Sequence, residues 1–306
     1  MITVDEIKKC FRGNFSLNEP LDKFTSFRIG GPADIFLEPV DRDDLKEIIR
    51  YLRGKNVPVT IIGNGSNLLI SDDGVRGAVV NLERGFNSIY MDGELVVVDA
   101  GVRTTKFVDF CILQGRKGVE MLAGIPGTLG GAVVMNAGAY DGEISDFLSD
   151  VEVLRGLEIV RIPKKDMGFT YRRSALKGEI VLGARFLLPA GDPGTLMKRR
   201  RELLVKRNQS QPLNLPNSGS VFKNPAGTFA GKLIEDAGLK GAAIGRARIS
   251  EKHGNFIVNS GGAMAKDVLE LILLAKRTVM ERTKIILEPE VKLIGFPEQI
   301  LKQVYS

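Results

Sequence analysis

The sequence predicts an α+β chain in two parts, and three features predict it. Apolar runs of strand length alternate with amphipathic helical stretches over the first 190 or so residues. The composition changes at Pro189-Ala-Gly-Asp-Pro193, a linker by its turn chemistry. A second series of helix and strand signals follows it. The expected division is 1–190 and 191–306. A chain of 306 residues is long for one core and sufficient for two or three.

The elements follow in order. Asp41–Arg53 is a helix: Asp41 can cap it, Leu45, Ile48, Ile49 and Leu52 share one face, and Gly54 ends it. Val57–Ile62 reads as a buried strand that leads into Gly63, and Ala78–Leu82 and Leu95–Val98 as further strands. Thr104–Leu113 is a helix stopped by Gly115. Val151–Leu154, Glu158–Ile162 and Ile180–Leu188 are rich in β-formers. Beyond the linker come a basic helix at Leu196–Arg207, a strand at Ser220–Phe222, a helix around Phe229–Ala237 and a short strand at Asn255–Val258. The helix Ala265–Arg282 is the longest, and Ile285–Ile294 closes the chain as a strand.

Composition removes several classes of function. Hydrophobic residues at 43% and charged residues at 26% leave ample core material, which excludes disorder. The net charge of +6 suits anionic partners. Its densest run, Arg199-Arg200-Arg201 with Lys198, Lys206 and Arg207 nearby, is read two ways, as a solvated helix face or as a diphosphate site. No aromatic residues interleave with it, so a nucleic-acid stacking platform is not expected. Cys10 and Cys111 are too few for a metal site or a disulfide framework. Met1–Asn14 shows no secretory leader, and Leu122–Tyr140, the longest uncharged stretch, is too rich in glycine to read as a membrane span. A soluble protein of the reducing cytoplasm is expected.

Glycine is enriched, at 35 residues, and clustered. Gly63-Asn64-Gly65-Ser66-Asn67 follows a strand, where backbone N–H groups can converge on an anion. It is no dinucleotide fingerprint, because Leu68 stands where the third glycine would fall. Gly124-Ile125-Pro126-Gly127-Thr128-Leu129-Gly130-Gly131-Ala132 joins Pro-Gly turn chemistry to a glycine pair and a hydroxyl. Asn136-Ala137-Gly138-Ala139-Tyr140 continues the run of small residues. Such a run suggests close approach of backbone to a flat ligand or its pyrophosphate.

These segments, with Thr25-Ser26-Phe27-Arg28-Ile29-Gly30-Gly31-Pro32-Ala33-Asp34 before them, occur in the order and spacing of a known family. From about Asn18 to Gly295 the chain resembles the UDP-N-acetylenolpyruvoylglucosamine reductases, or UDP-N-acetylmuramate dehydrogenases. The resemblance implies the two-subdomain FAD-binding fold of vanillyl-alcohol-oxidase-like flavoenzymes over 1–190, its subdomains roughly 1–72 and 73–190, plus a C-terminal α/β substrate-binding domain over 191–306. It implies that Gly63, Asn64, Gly65, Ser66, Asn67, Gly124, Ile125, Pro126, Gly127, Thr128, Gly131 and Ala132 hold a non-covalent FAD. NADPH would be the reductant and a UDP-sugar the substrate. Three more segments match: Phe169–Ser174, Gly219–Pro225 and Leu287–Gly295. They imply Arg172, Ser220 and Glu290 as the catalytic set, and Tyr171, Lys206, Lys223 and Asn224 as substrate contacts. No metal is implied. There is no room between Arg173 and Arg199 for the inserted Tyr loop of some members, so the chain resembles the shorter type.

The residue types suit the implied chemistry. Hydride addition to an enol ether conjugated to a carboxylate builds negative charge on the α carbon and the carboxylate. A fixed guanidinium at Arg172 meets that charge, and a protonated Glu290 could donate to the same group. The carbanion then takes a proton, for which a positioned hydroxyl at Ser220 suffices. Lys223 could favour the alkoxide if its loop folds back. His253, the single histidine, reads as structural. Two rivals stand beside this reading. One is an oxidase of the same cofactor fold, for which no histidine before residue 253 offers a flavin tether. The other is a catalytically silent UDP-sugar binder.

Overall fold

The computed structural model describes residues 3–176 and 178–306. Its contacts divide the chain into two interleaved units: Met1–Leu17, Ile35–Asn64 and Gly77–Lys206 form the first, and Asn18–Asp34, Gly65–Arg76 and Arg207–Ser306 the second. The fold class is α+β, with helices and predominantly antiparallel sheets.

The first unit is built on two sheets. A five-stranded sheet runs in the order Glu158–Pro163, Leu148–Arg155, Ile180–Leu187, Leu95–Asp99, Ile89–Asp92, every neighbour antiparallel. A four-stranded sheet, drawn mainly from this unit, has the order Asn14–Pro20, Pro32–Glu38, Val75–Asn81, Val59–Ile62. Val59–Ile62 is therefore an edge strand and only its last residue is buried, where a fully buried strand was expected. It pairs in parallel with its neighbour, from Val59↔Ala78 to Ile62↔Asn81. That register sets Ile62 level with Asn81 at the carboxyl ends of the two strands, with Gly63 directly after them.

The helix Arg42–Gly54 starts at Asp41, whose carboxylate accepts from the Asp44 amide. Leu45, Ile48, Ile49 and Leu52 all have 0% exposure. Each contributes about 1.5–3 kcal/mol by leaving water. The helix Thr104–Leu113 has the expected bounds, with Phe107 tilted against Phe186 of the five-stranded sheet at 4.8 Å. The Pro189–Pro193 stretch is not a loose linker. Lys117 donates to the Pro189 carbonyl at 2.9 Å and Gly191 to that of Gly115 at 2.8 Å, and the helix Pro193–Ser210 follows directly.

The second unit has its own core, with Phe27, Ile29, Leu69, Phe222, Ile257, Val268, Ile272 and Leu293 among its members. The helix Ala265–Thr283 packs on a small antiparallel sheet of Ala243–Ile244, Ala247–Ile249 and Ile257–Asn259. Asp72 closes the start of that helix by accepting from the Ala265 and Lys266 amides at 2.7 and 3.1 Å. Of the strand expected over Ile285–Ile294 only Lys292–Ile294 forms, in parallel with Leu68–Ile70. The strand expected at Ser220–Phe222 is an isolated bridge, Phe222↔Pro289.

Candidate active site

Two glycine segments of the first unit lie against each other. A Cβ on Gly63 would fall 2.1 Å from Thr128 Oγ1, so only glycine lets the end of the Val59–Ile62 strand pack on this threonine. The Gly63 carbonyl is anchored by Asn81 Nδ2 at 3.2 Å. Opposite it, the 127–130 segment is zipped to the chain before Thr104: Thr104 N donates to Gly127 O at 3.0 Å, Leu129 N to Val102 O at 2.8 Å and Gly130 N to Ala100 O at 2.8 Å. Gly127 has φ +121, which a side chain would strain. Leu129–Val134 is a short helix that follows this segment directly.

These features fit a cofactor with a pyrophosphate and a flat ring. Among the described residues, the Gly63 and Asn64 amides donate to no other group of the chain. A Cβ on Gly131 would meet only Thr128 Oγ1, at 3.7 Å, so the backbone face there is open. Asn136 Oδ1 is a buried acceptor that no described residue satisfies, a state native interiors avoid unless a ligand or water supplies the donor.

Arg172 is the second central residue of a tight turn in which Thr170 and Arg173 exchange both backbone hydrogen bonds at 3.0 Å. Its φ is +55, a left-handed conformation costing about 1–2 kcal/mol in a non-glycine residue. Its guanidinium donates to the Gly138 carbonyl at 2.6 Å and, more weakly, to that of Asn136 at 3.5 Å. The half-exposed Tyr171 ring lies 4.8 Å from the guanidinium carbon.

In the second unit the segments of Ser220 and Glu290 run side by side. Glu290 N donates to Val221 O at 2.8 Å and Lys223 N to Glu288 O at 2.9 Å. Both Ser220 and Glu290 are half-buried. On its other side this segment is held by one residue, through both its side chain and its main chain. Asn255 Nδ2 donates to Phe222 O at 2.8 Å, its Oδ1 accepts from Phe222 N at 2.9 Å, and its carbonyl accepts from Val221 N at 2.9 Å. Asn67, expected at the cofactor, is engaged with this segment as well. Its Nδ2 donates to Glu290 O at 3.1 Å and its carbonyl accepts from Lys292 N at 2.9 Å.

Other expected contacts have local partners. Lys223 Nζ is paired with Glu288 at 2.6 Å. Asn224 Oδ1 accepts from Ala230 N at 3.1 Å, closing the start of the helix Ala230–Asp236. Lys206 is exposed near the end of the basic helix, and the next residue, Arg207, is buried. Gly65, at φ +59, packs against the Phe24 carbonyl. His253 is structural in its contacts: its Nδ1 accepts from Asn255 N at 3.2 Å and its ring meets Phe256 edge-on. Asn81, Asn136 and Asn255 escaped the sequence reading. Their signal is an asparagine beside a glycine or glutamate turn, which only tertiary pairing makes specific. Among the described residues no cluster of His, Cys, Asp or Glu could hold a metal, and no helix is long and apolar enough to cross a membrane.

Comparison with known proteins gives the class first. Residues 33–161, which carry the Gly63 turn and the 124–132 segment, match the FAD binding domain, so the chain is a flavoprotein by fold. Residues 211–294, which carry Ser220 and Glu290, match the C-terminal domain of UDP-N-acetylenolpyruvoylglucosamine reductase. The reductase of Caldanaerobacter subterraneus subsp. tengcongensis is 44% identical over 96% of this chain and 98% of its own length. That of Chloroherpeton thalassium is 44% identical over 99% of this chain and 100% of its own. The crystal structure of the Thermus caldophilus enzyme, 38% identical, superposes with a TM-score of 0.80 over 93% of this chain and 99% of that one. The chain belongs to the UDP-N-acetylenolpyruvoylglucosamine reductase family.

Proposed function

We propose that the chain is a cytoplasmic flavoenzyme that uses NADPH to reduce the enolpyruvyl group of UDP-N-acetylglucosamine enolpyruvate, giving UDP-N-acetylmuramate for peptidoglycan synthesis. The observation that carries the reading is Arg172, a charged residue in a strained left-handed turn with its guanidinium fixed by carbonyls. Strain of this kind persists where the surroundings over-determine it, and it concentrates at functional sites.

FAD, when bound, supplies hydride at its N5 atom after reduction by NADPH. The residues proposed to hold it, without a covalent tether, are Gly63, Asn64, Gly65, Ser66, Asn67, Gly124, Ile125, Pro126, Gly127, Thr128, Gly131 and Ala132. Arg172 meets the charge that builds on the substrate carboxylate. The Gly138 and Asn136 carbonyls orient its guanidinium before the charge develops. Glu290, protonated, donates to the same carboxylate. The Ser220 hydroxyl gives its proton to the α carbon. Asn255 supports that role by fixing the backbone of Val221 and Phe222. Tyr171, Lys206, Lys223 and Asn224 are assigned to the UDP-sugar.

Purified protein should be yellow, bleach with NADPH under argon, and regain its colour when the enolpyruvyl UDP-sugar is added. A bleached enzyme that stays bleached with this substrate refutes the reading.

A further inference from the structure

We propose that Asn136 is a positioning residue that sets both the backbone turn and the guanidinium of Arg172. The proposal rests on the role given to Arg172 above, and its test separates the two.

Asn136 has 0% exposure. Its amide donates twice, to Glu143 Oε2 at 2.6 Å and to the Thr170 carbonyl at 3.1 Å. Thr170 is one of the two residues that close the Arg172 turn, so this second bond holds the turn at its base. The Asn136 carbonyl meanwhile faces Arg172 Nη1 at 3.5 Å, and two residues on the Gly138 carbonyl accepts from Nη2 at 2.6 Å. One residue thus touches the arginine's segment from its side chain and its head group from its main chain.

The frame around it is equally constrained. Gly138 pairs with Glu143 across a two-residue hairpin whose central residues, Tyr140 and Asp141, have φ of +52 and +64. That is the left-handed pair of a type I′ turn, which here lacks the usual glycine. Glu143, which receives the Asn136 amide, is therefore placed by the same hairpin that places the Gly138 carbonyl. Asn136 itself has φ +44. Eight non-glycine residues with positive φ occur among the described residues, and Asn136, Tyr140, Asp141 and Arg172 are four of them. Half of this strain is therefore spent on one small frame that ends at one guanidinium.

The residue type follows. Asparagine is among the few side chains that tolerate left-handed backbone. Its amide gives two donors to two acceptors. Aspartate would set oxygen against both of them, and leucine would leave both buried and unpaired. Glycine keeps the left-handed backbone and removes the carboxamide, both its donors and Oδ1, which makes Asn136→Gly the informative variant.

The experiment is a double-mutant cycle on the FAD-loaded enzyme with Asn136→Gly and Arg172→Ala. It reads reoxidation of the NADPH-reduced enzyme by the enolpyruvyl UDP-sugar in anaerobic stopped flow. Asn136→Gly should slow reoxidation by about 10- to 100-fold, the scale of an ångström of misplacement. Each variant is saturated with FAD, because the substitution also removes the buried Oδ1 acceptor, and its reoxidation is normalised to its own reduction by NADPH. In the Arg172→Ala background the same substitution should change reoxidation by less than about threefold, because the group it positions is gone. Equal losses in both backgrounds, or no loss in the parent, overturn the proposal. If Asn136→Gly does not fold, Glu143→Gln replaces it in the cycle. It keeps an acceptor but removes the charge, and should give a smaller loss that also vanishes with Arg172→Ala.

A second readout needs no turnover. The Arg172 Nη resonances should show hindered rotation in the parent protein and faster rotation in Asn136→Gly, where the carbonyl acceptors remain but are less firmly placed. Unchanged rotation overturns the proposal even if the parent enzyme proves inactive toward this substrate. Inactivity of the parent counts only against the functional reading.

Discussion

Gly63→Ala isolates the contact on which the cofactor loops rest. The new Cβ would lie 2.1 Å from Thr128 Oγ1, 3.0 Å from its Cγ2 and 3.1 Å from its Cβ. Carbon pairs prefer about 3.5–4.0 Å, so more than an ångström of overlap must be relieved. Thr128 is 4% exposed and cannot retreat as a unit, because Leu129 and Gly130 are bonded to Val102 and Ala100. Overpacking of this kind costs about 1–3 kcal/mol. Gly63 does not occupy the left-handed region, so alanine is conformationally allowed there and returns about 0.4–1 kcal/mol through the unfolded chain. The net loss is about 1–2 kcal/mol, or about 2–4 °C in Tm for a chain this long. Thermal melts and the flavin-to-protein absorbance ratio measure both consequences, and flavin content should fall with stability. Thr128→Ala removes Oγ1 and Cγ2, leaving a contact of 3.1 Å that small shifts absorb. The double variant should therefore melt higher than the sum of the single effects predicts. Gly63→Ala that melts with the parent and keeps its flavin, or a strictly additive double variant, would falsify the steric account.

Other outcomes follow from the same geometry. Ser220→Ala should keep the flavin and its reduction by NADPH but lose about 10²- to 10⁴-fold in reoxidation by substrate; near-normal turnover removes Ser220 from the mechanism. His253 has its pKa lowered, chiefly by burial and then by Lys240. Its unfolded value is about 6.5. A depressed folded value means that its contribution to stability is complete above about pH 6.5 and is lost as pH falls through the folded value. As the single histidine it gives one imidazole signal by NMR, and a midpoint above 6.5 contradicts the burial argument. Burial pushes the Cys111 thiol far up, with Glu120 adding to the shift. A thiol reagent should reach Cys10 slowly in the native protein and Cys111 only on unfolding; two fast equivalents would count against that packing.

Sequence patterning read the long elements and failed at the short ones. The helix over Arg42–Gly54 declared itself through a capping aspartate and a four-residue apolar face, both local signals. The helix Thr104–Leu113 was legible from its stop at Gly115, which takes a positive φ. The segment carrying Ser220 looked like a strand because it is apolar and extended, yet both backbone groups of Phe222 are bonded to the Asn255 side chain, a partner 33 residues away. The closing segment shrank to Lys292–Ile294 because its one parallel partner, Leu68–Ile70, is three residues long. The glycine turns were legible because a close backbone approach demands glycine whatever surrounds it. The frame around Arg172 was not, since a left-handed asparagine or arginine leaves no mark in composition. The linker at Pro189–Pro193 was misread because proline and glycine report local turns and say nothing of the Gly115–Lys117 turn that holds them.

The interleaving of the two units governs what a ribosome must wait for. Phe27, Ile29 and Leu69 emerge early in synthesis, yet the apolar residues that cover them begin at Val221. Leu68–Ile70 has no strand partner until Lys292–Ile294 has left the exit tunnel, so these early segments stay uncovered through most of translation. Domains are commonly completed in order from the N-terminus. Here the second unit closes only after Lys292–Ile294 has been made, and a chain stalled before it presents bare apolar surface to chaperones and proteases.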